Sequence, residues 1–185
     1  MKMLLKGGIA ICFLLYPFLV GYSILNGQLI WISGLLIILG LYRLFSRNNM
    51  LLWPLATFSI LCGGLSLLLR DQAWLKLYPV LMSVGALIIF ASTLFRPPSM
   101  IERFARIQQA DLPASGVIWT RKVTIVWCIF FAINALIALT TVLLGNLKLW
   151  MLYNGFISYL LMGTLLGGEF LLRKRHQRKH HVSNQ

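Results

Sequence analysis

Residues able to do acid–base or metal chemistry are few in this chain and stand apart from one another. Its 185 residues hold four carboxylates: Asp71, Glu102, Asp111 and Glu169. Asp71, Glu102 and Asp111 lie in polar stretches, and Glu169 is embedded in an apolar one. Paired carboxylates for general acid–base work, or a chain of acids for proton relay, are therefore missing from the pattern. His176 and His180 have the i, i+4 spacing of a metal pair, but five cations surround them and repel a bound ion. Cys12, Cys62 and Cys128 each fall in an apolar block and share no ligand spacing, which points to buried thiols and away from disulfides or zinc. No catalytic, cofactor-binding or metal-binding residue is assigned, and no cofactor is expected.

Two readings attach to each remaining polar feature. Glu169 precedes Arg173 by four residues, the spacing of an ion pair at a helix end. Alternatively it is a proton-binding or headgroup-coordinating carboxylate facing a helix bundle, since a charge in hydrocarbon costs several kcal/mol and is kept for a reason. Asn134, Thr140, Thr141, Asn154, Ser158 and Tyr159 sit among apolar residues, where side chains of this type bond across helices at about 0.6 to 2 kcal/mol each. Substrate recognition is the alternative. Gly163-Thr164-Leu165-Leu166-Gly167 has GxxxG spacing, which lets a second backbone approach closely, either within the chain or in a homodimer through Gly163 and Gly167.

The elements that must position these groups are membrane helices. The chain is 59% hydrophobic and 11% charged, with a mean hydropathy of +0.81, outside the range of soluble domains. Apolar blocks run over about 7–25, 29–42, 50–69, 77–95, 123–144 and 150–172. Six spans of about 20 residues use roughly 120 positions and leave no room for a separate soluble domain. The second block is short for a crossing. Lys2 and Lys6 before the first block imitate a signal peptide, but no small-x-small cleavage site follows, so an uncleaved first helix is expected.

The net charge of +13 would suggest nucleic acid in a soluble protein. Here it follows the loops. Lys2, Lys6, Arg43, Arg47, Arg96, Arg103, Arg106, Arg121, Lys122, Arg173, Lys174, Arg175, Arg178 and Lys179 fall on one side of the six blocks, and Arg70, Lys76 and Lys148 on the other. Such asymmetry places both termini in the cytoplasm and removes the case for nucleic acid. Trp31, Trp74 and Trp150 then mark the outer boundary, and Trp53, Trp119 and Trp127 the inner one.

Residues 96–122 form the main cytoplasmic loop, and 173–185 a basic tail. Pro97-Pro98 stop the fourth helix, and Ser99-Met100-Ile101-Glu102 fits a capping box. Beyond it Met100, Ile101, Phe104 and Ile107 recur on one face, while Glu102, Arg103, Arg106 and Gln109 lie largely on the other, up to Asp111-Leu112-Pro113. An amphipathic helix lying flat on the inner leaflet, its arginines near lipid phosphates, is expected; a docking surface for a soluble partner is the alternative.

The block Pro98-Ser99-Met100-Ile101-Glu102-Arg103-Phe104-Ala105-Arg106, with Asp111-Leu112-Pro113, Trp119-Thr120-Arg121-Lys122-Val123-Thr124, Trp127 and Phe130-Phe131-Ala132-Ile133-Asn134, resembles an uncharacterised family of bacterial inner-membrane proteins. The stretch Asn154-Gly155-Phe156-Ile157-Ser158-Tyr159 through Glu169 resembles it too. The resemblance covers about the C-terminal half, the first 90 residues matching in hydropathy alone. It implies association with gene clusters for aryl-polyene and related fatty-acid-type products, alongside acyl carrier and synthase proteins. It also draws attention to Arg103, Arg106, Arg121, Asn134, Asn154 and Glu169, which lie in the resembling blocks.

The sequence thus implies an all-α integral membrane protein of the bacterial inner membrane, with about six transmembrane helices and one cytoplasmic amphipathic helix between the fourth and fifth. Its expected role is a non-enzymatic accessory or scaffold for aryl-polyene or related lipid-type biosynthesis, meeting anionic headgroups and acidic carrier or synthase proteins. A small lipid or metabolite transporter is the alternative, and a membrane-embedded acyl- or glycosyl-transferase a third reading. For the orientation, alkaline phosphatase fused after Gln72 should be active and after Gln185 inactive; the reverse pattern overturns it.

Overall fold

The computed structural model describes residues 15–45, 53–108 and 110–182, the side chains of 172–182 lying outside that description, as do those of Arg43, Trp53, Pro54 and Gln108. Lys2, Lys6, Cys12, Arg47 and Gln109 fall outside the described residues, as does the start of the first apolar block. Helices account for the described structure: α1 (Leu15–Leu25), α2 (Leu29–Phe45), α3 (Trp53–Leu69), α4 (Ala73–Phe95), α5 (Met100–Gln108), α6 (Ala114–Leu143), α7 (Leu147–Leu152), a π-helical turn (Tyr153–Ile157) and α8 (Ser158–Val182).

Turn chemistry sets the joints. Gly27, at φ 67°, and Gly145, at φ 68°, take the left-handed conformation that glycine adopts without a Cβ penalty, and they close the α1–α2 and α6–α7 connections. Arg70 ends α3 at φ 51°, where Asp71 Oδ1 accepts from the Ala73 N–H at 2.9 Å to start α4. Asn146 caps α7 in the same way, accepting from the Leu149 N–H at 3.1 Å.

Ala73–Phe95, Ala114–Leu143 and Leu147–Leu171 are long and apolar enough to cross a membrane; Leu15–Leu25, Leu29–Tyr42 and Leu55–Leu69 are apolar but shorter. The 17 residues of α2 rise about 26 Å, somewhat under the roughly 30 Å of a hydrocarbon core. The 30 residues of α6 rise about 45 Å, so that helix exceeds it.

Lipid tails are as apolar as leucine, so burial alone does not hold such helices together; close packing and hydrogen bonds must. α2 and α3 meet through Gly40 and Gly63: a Cβ on Gly63 would stand 2.8 Å from the Ser33 carbonyl, and one on Gly40 would stand 2.6 Å from Ile60. Ser59 Oγ donates to the Leu36 carbonyl across that seam at 2.9 Å. α4 and α6 run antiparallel, with Val80 clustered beside Ala138 and Phe90 edge-on to Phe131 at 5.1 Å. α1 packs over the far end, Tyr16 and Val20 joining Leu36, Leu75, Tyr78 and Trp150 in a buried cluster.

Pro79 lies inside α4. Having no N–H, it leaves the Leu75 carbonyl without its helical donor. Tyr16 supplies one: its hydroxyl donates to Leu75 O at 3.0 Å, in a buried setting. One residue on, the Lys76 carbonyl accepts from Trp150 Nε1 at 3.0 Å. Trp150, expected at the outer boundary as an interfacial ring, is 1% exposed and serves as an internal donor.

Two boundaries and one helix face differ from the sequence expectation. The fifth apolar block belongs to a helix that starts at Ala114, so Trp119, Arg121 and Lys122 ride on its first turns and not in a connecting loop. Pro113 permits this: at the N-terminus of a helix a missing N–H costs nothing. α8 continues to Val182, so basic residues of the tail extend a helix. α5 exists as expected, but its faces are divided otherwise. Met100, Ile101, Ala105 and also Glu102 are buried, whereas Phe104 and Ile107 are exposed. The helical wheel placed all four apolar residues together and Glu102 opposite; docking against α6, where the Ile101 N–H meets Thr124 Oγ1 at 3.3 Å, rotates the seam.

Replacing Tyr16 by Phe should lower the unfolding free energy in detergent by about 1–2 kcal/mol, because a buried carbonyl loses its donor. Adding Pro79→Ala should recover much of that by returning a backbone N–H to Leu75 O; a double variant no more stable than Tyr16→Phe would refute the account.

Candidate functional site

Asn134 lies at the centre of a buried polar hub. Its Oδ1 accepts from the Tyr153 hydroxyl and from Ser158 Oγ, each at 3.0 Å. Its Nδ2 donates to Ser83 Oγ at 2.9 Å, and Ser83 Oγ in turn donates a hydrogen bond to the Pro79 carbonyl at 3.0 Å. Asn154 makes a second node, donating to Thr141 Oγ1 at 3.2 Å and to the Trp150 carbonyl at 2.9 Å. The hub ties α4, α6, the π-helical turn and α8 together.

The π-helical turn makes this convergence possible. Five residues apart, Tyr153 and Ser158 would stand about 140° apart around a regular α-helix. The i→i+5 ring brings them one above the other, the Ser158 N–H donating to the Tyr153 carbonyl. Both hydroxyls then reach one amide oxygen. Gly155, within the turn, faces the Phe18 ring, where a Cβ would stand at 2.8 Å; a larger residue would push α1 away.

Beside the hub is a cavity of about 430 Å³, into which Ser83, Asn134, Asn154, Ser158 and Tyr159 present polar groups among Met82, Phe131 and Met162. Its lining is neutral. Such a surface holds an amphiphile by shape and hydrogen bonds; it contains no nucleophile activated by a base. Among the described residues no group of three His, Cys, Asp or Glu side chains could hold a metal ion. Cys62 is buried, Cys128 is half-buried, and both are free thiols.

The structure disperses the other residues singled out from the sequence. Arg103 Nε donates to the Pro98 carbonyl at 2.9 Å. Arg106 pairs with Glu102 through Nε at 2.9 Å and Nη2 at 2.7 Å, and its Nη1 reaches the Ala110 carbonyl at 3.1 Å. These two arginines therefore brace the ends of α5. The carboxylate half of the capping box forms, with the Ser99 N–H 3.4 Å from Glu102 Oε2, while the buried Ser99 hydroxyl has no partner among the described residues. Arg121 is exposed on α6. Glu169 is half-buried and accepts from Trp127 Nε1 at 3.2 Å; the side chain of Arg173, its expected ion-pair partner, lies outside the described residues, as do those of His176 and His180.

Gly163 and Gly167 have nothing within 4 Å of where a Cβ would stand, which corrects their reading as an internal packing seam. Close packing by glycine occurs instead at Gly40 and Gly63. Sequence reasoning also passed over Ser83 and Pro79. A proline inside an apolar span was the available signal, since the carbonyl it frees needs a donor from elsewhere.

Fold and hub together describe a multi-helix membrane protein whose hub groups are neutral and hydrogen-bonded to one another. A family model described as IspA, intracellular septation protein A, matches residues 1–179, and the chain belongs to this bacterial inner-membrane family. No curated protein and no solved structure matches it. The match extends through the first 90 residues, beyond the C-terminal half that carried the resemblance, and it shows no link to aryl-polyene clusters.

Asn134→Ala, which strips partners from three hydroxyls, should destabilise the protein in detergent by about 1–3 kcal/mol. A double-mutant cycle with Ser83→Ala should return a coupling of about 0.6–1.7 kcal/mol; additive effects would mean the two side chains do not interact.

Proposed function

We propose that this chain is a non-enzymatic accessory of the inner membrane, crossing it six times with both termini cytoplasmic, and that it holds an envelope- or lipid-building assembly at the inner leaflet. The observation that carries the reading is the closure of the Asn134 hub: Tyr153, Ser158 and Ser83 spend their hydrogen bonds on Asn134 and the backbone. Groups consumed in holding helices together are a framework and not a reaction centre. What faces outward at the inner end is basic. Arg96, Arg121 and Lys122 are exposed, whereas Arg103 and Arg106 are committed to local bonds, so the exposed set is the one suited to acidic partners or headgroups.

The family's description names intracellular septation, and an assembly at the division site is the partner that description favours. An aryl-polyene or fatty-acid-type synthase with its acyl carrier protein is the other candidate for the same surface. A small lipid or metabolite transporter is the second reading, favoured by the 430 Å³ cavity. Pairing of two copies through the uncovered Gly163 and Gly167 is compatible with either reading.

Deletion of the gene, followed by microscopy of septa and analysis of lipids and pigments, separates these readings. An accessory should give a septum or lipid defect that Glu169→Gln complements fully and that Arg96→Glu with Arg121→Glu does not. Turnover of an acyl or glycosyl donor by the purified protein alone would overturn the non-enzymatic reading, and loss of export in Glu169→Gln would favour a proton-coupled carrier.

A further inference from the structure

A second concave surface lies along α6 and α8. Between α6 and α8 runs a groove of about 580 Å³, with Val126, Phe130 and Leu161 along its length and Trp119, Lys122 and Glu169 at one end. Gly168 also lines it, with open space where a Cβ would stand. On a helix pair that crosses a bilayer, an apolar groove of this kind is filled by an acyl chain, and the end carrying charge and a tryptophan lies at headgroup depth.

The charges at that end differ in sign and come from different helices. Lys122, on α6, is exposed; Glu169, on α8, is half-buried. Trp127 Nε1 donates to Glu169 Oε2 at 3.2 Å, and among the described side chains, which exclude that of Arg173, no second donor meets the carboxylate. No described cation lies within ion-pair distance of Glu169. A purely anionic headgroup would set its phosphate against this carboxylate. A headgroup with both a primary ammonium and a phosphate matches both residues.

We propose that the α6–α8 groove is a binding site for a primary-amine phospholipid of the phosphatidylethanolamine type. Its ammonium donates to Glu169, its phosphate accepts from Lys122, and one acyl chain lies along Val126, Phe130 and Leu161. A quaternary ammonium has no N–H to donate, so phosphatidylcholine satisfies the phosphate alone. Phosphatidylglycerol satisfies Lys122 and is repelled by Glu169. The proposal rests on α6 and α8 crossing the bilayer, which the phosphatase fusions check independently.

The test is competition among phosphatidylethanolamine, phosphatidylglycerol and phosphatidylcholine of identical acyl chains, supplied in equal amounts to the delipidated full-length protein in mild detergent and read by native mass spectrometry. The wild type should retain the ethanolamine lipid about tenfold over either competitor, as one charge-assisted hydrogen bond provides. Glu169→Gln should erase that preference and raise retention of the glycerol lipid. Lys122→Glu, a change at an exposed position that leaves packing intact, should lower retention of all three. Preference for phosphatidylglycerol in the wild type, or an ethanolamine preference unchanged in Glu169→Gln, would overturn the proposal. Should Glu169→Gln fail to fold, unaltered ethanolamine retention in Lys122→Glu overturns it equally.

Discussion

The amide of Asn134 is the point on which the bundle's arrangement turns. Three other segments place a hydroxyl or a carbonyl around it, directly or through Ser83. In water such bonds would exchange freely with solvent and contribute little. In hydrocarbon each unmet polar group costs several kcal/mol, so the amide permits only those helix registers in which its partners are present. Apolar contacts tolerate sliding of one smooth helix along another. The hub does not, and it fixes the register of α4 against α6 and of α8 against both.

Two breaks in regular helix make this register attainable. Pro79 frees a carbonyl in α4 and thereby recruits Tyr16 from α1, while the π-helical turn rotates Tyr153 and Ser158 onto one face. Each irregularity is unfavourable in isolation, and each is offset by a bond that the regular helix lacks. Gly155 adds a steric condition, because the turn meets the Phe18 ring where a side chain would otherwise stand. The α1 contact and the hub are therefore coupled through the same short stretch of chain.

How much of this was legible in the sequence depended on whether a feature is local. The joints at Asn26-Gly27-Gln28 and Arg70-Asp71-Gln72 could be read because turn chemistry is written in adjacent residues. Asn134, Asn154 and Ser158 stood out as interhelical donors and acceptors because amides and hydroxyls are costly in lipid. Their partners did not stand out. Ser83 is one small hydroxyl among apolar residues, and Tyr153 joins Ser158 only if the helix is π-wound there, which no spacing rule for an α-helix anticipates. The wheel of α5 failed for a related reason: it sorts residues by polarity against a uniform medium, whereas one side of this helix meets α6 and accommodates a paired carboxylate. Glycine spacing was ambiguous in kind. Gly163 and Gly167 have the interface pattern and an uncovered face, while Gly40 and Gly63 lie on different helices and form the close seam.

The basic excess acquires a finer meaning from the same distinction. Counted by side of the membrane in the proposed topology it is an orientation signal, and every arginine counts equally. Counted by partner, Arg103 and Arg106 are structural: they hold the carbonyls and the carboxylate that bracket α5, and Glu102 could not be buried without its guanidinium. The cations left to act on anything outside the protein are those at exposed positions such as Arg121 and Lys122, both on the first turns of α6. Because α6 begins at Ala114, these two are carried on a rigid helix and not on a flexible loop. A rigid pair of adjacent cations projects in two directions about 100° apart, so Lys122 can face the α6–α8 groove while Arg121 faces elsewhere. The proposed lipid site and the proposed basic surface then draw on different charges of one helix end.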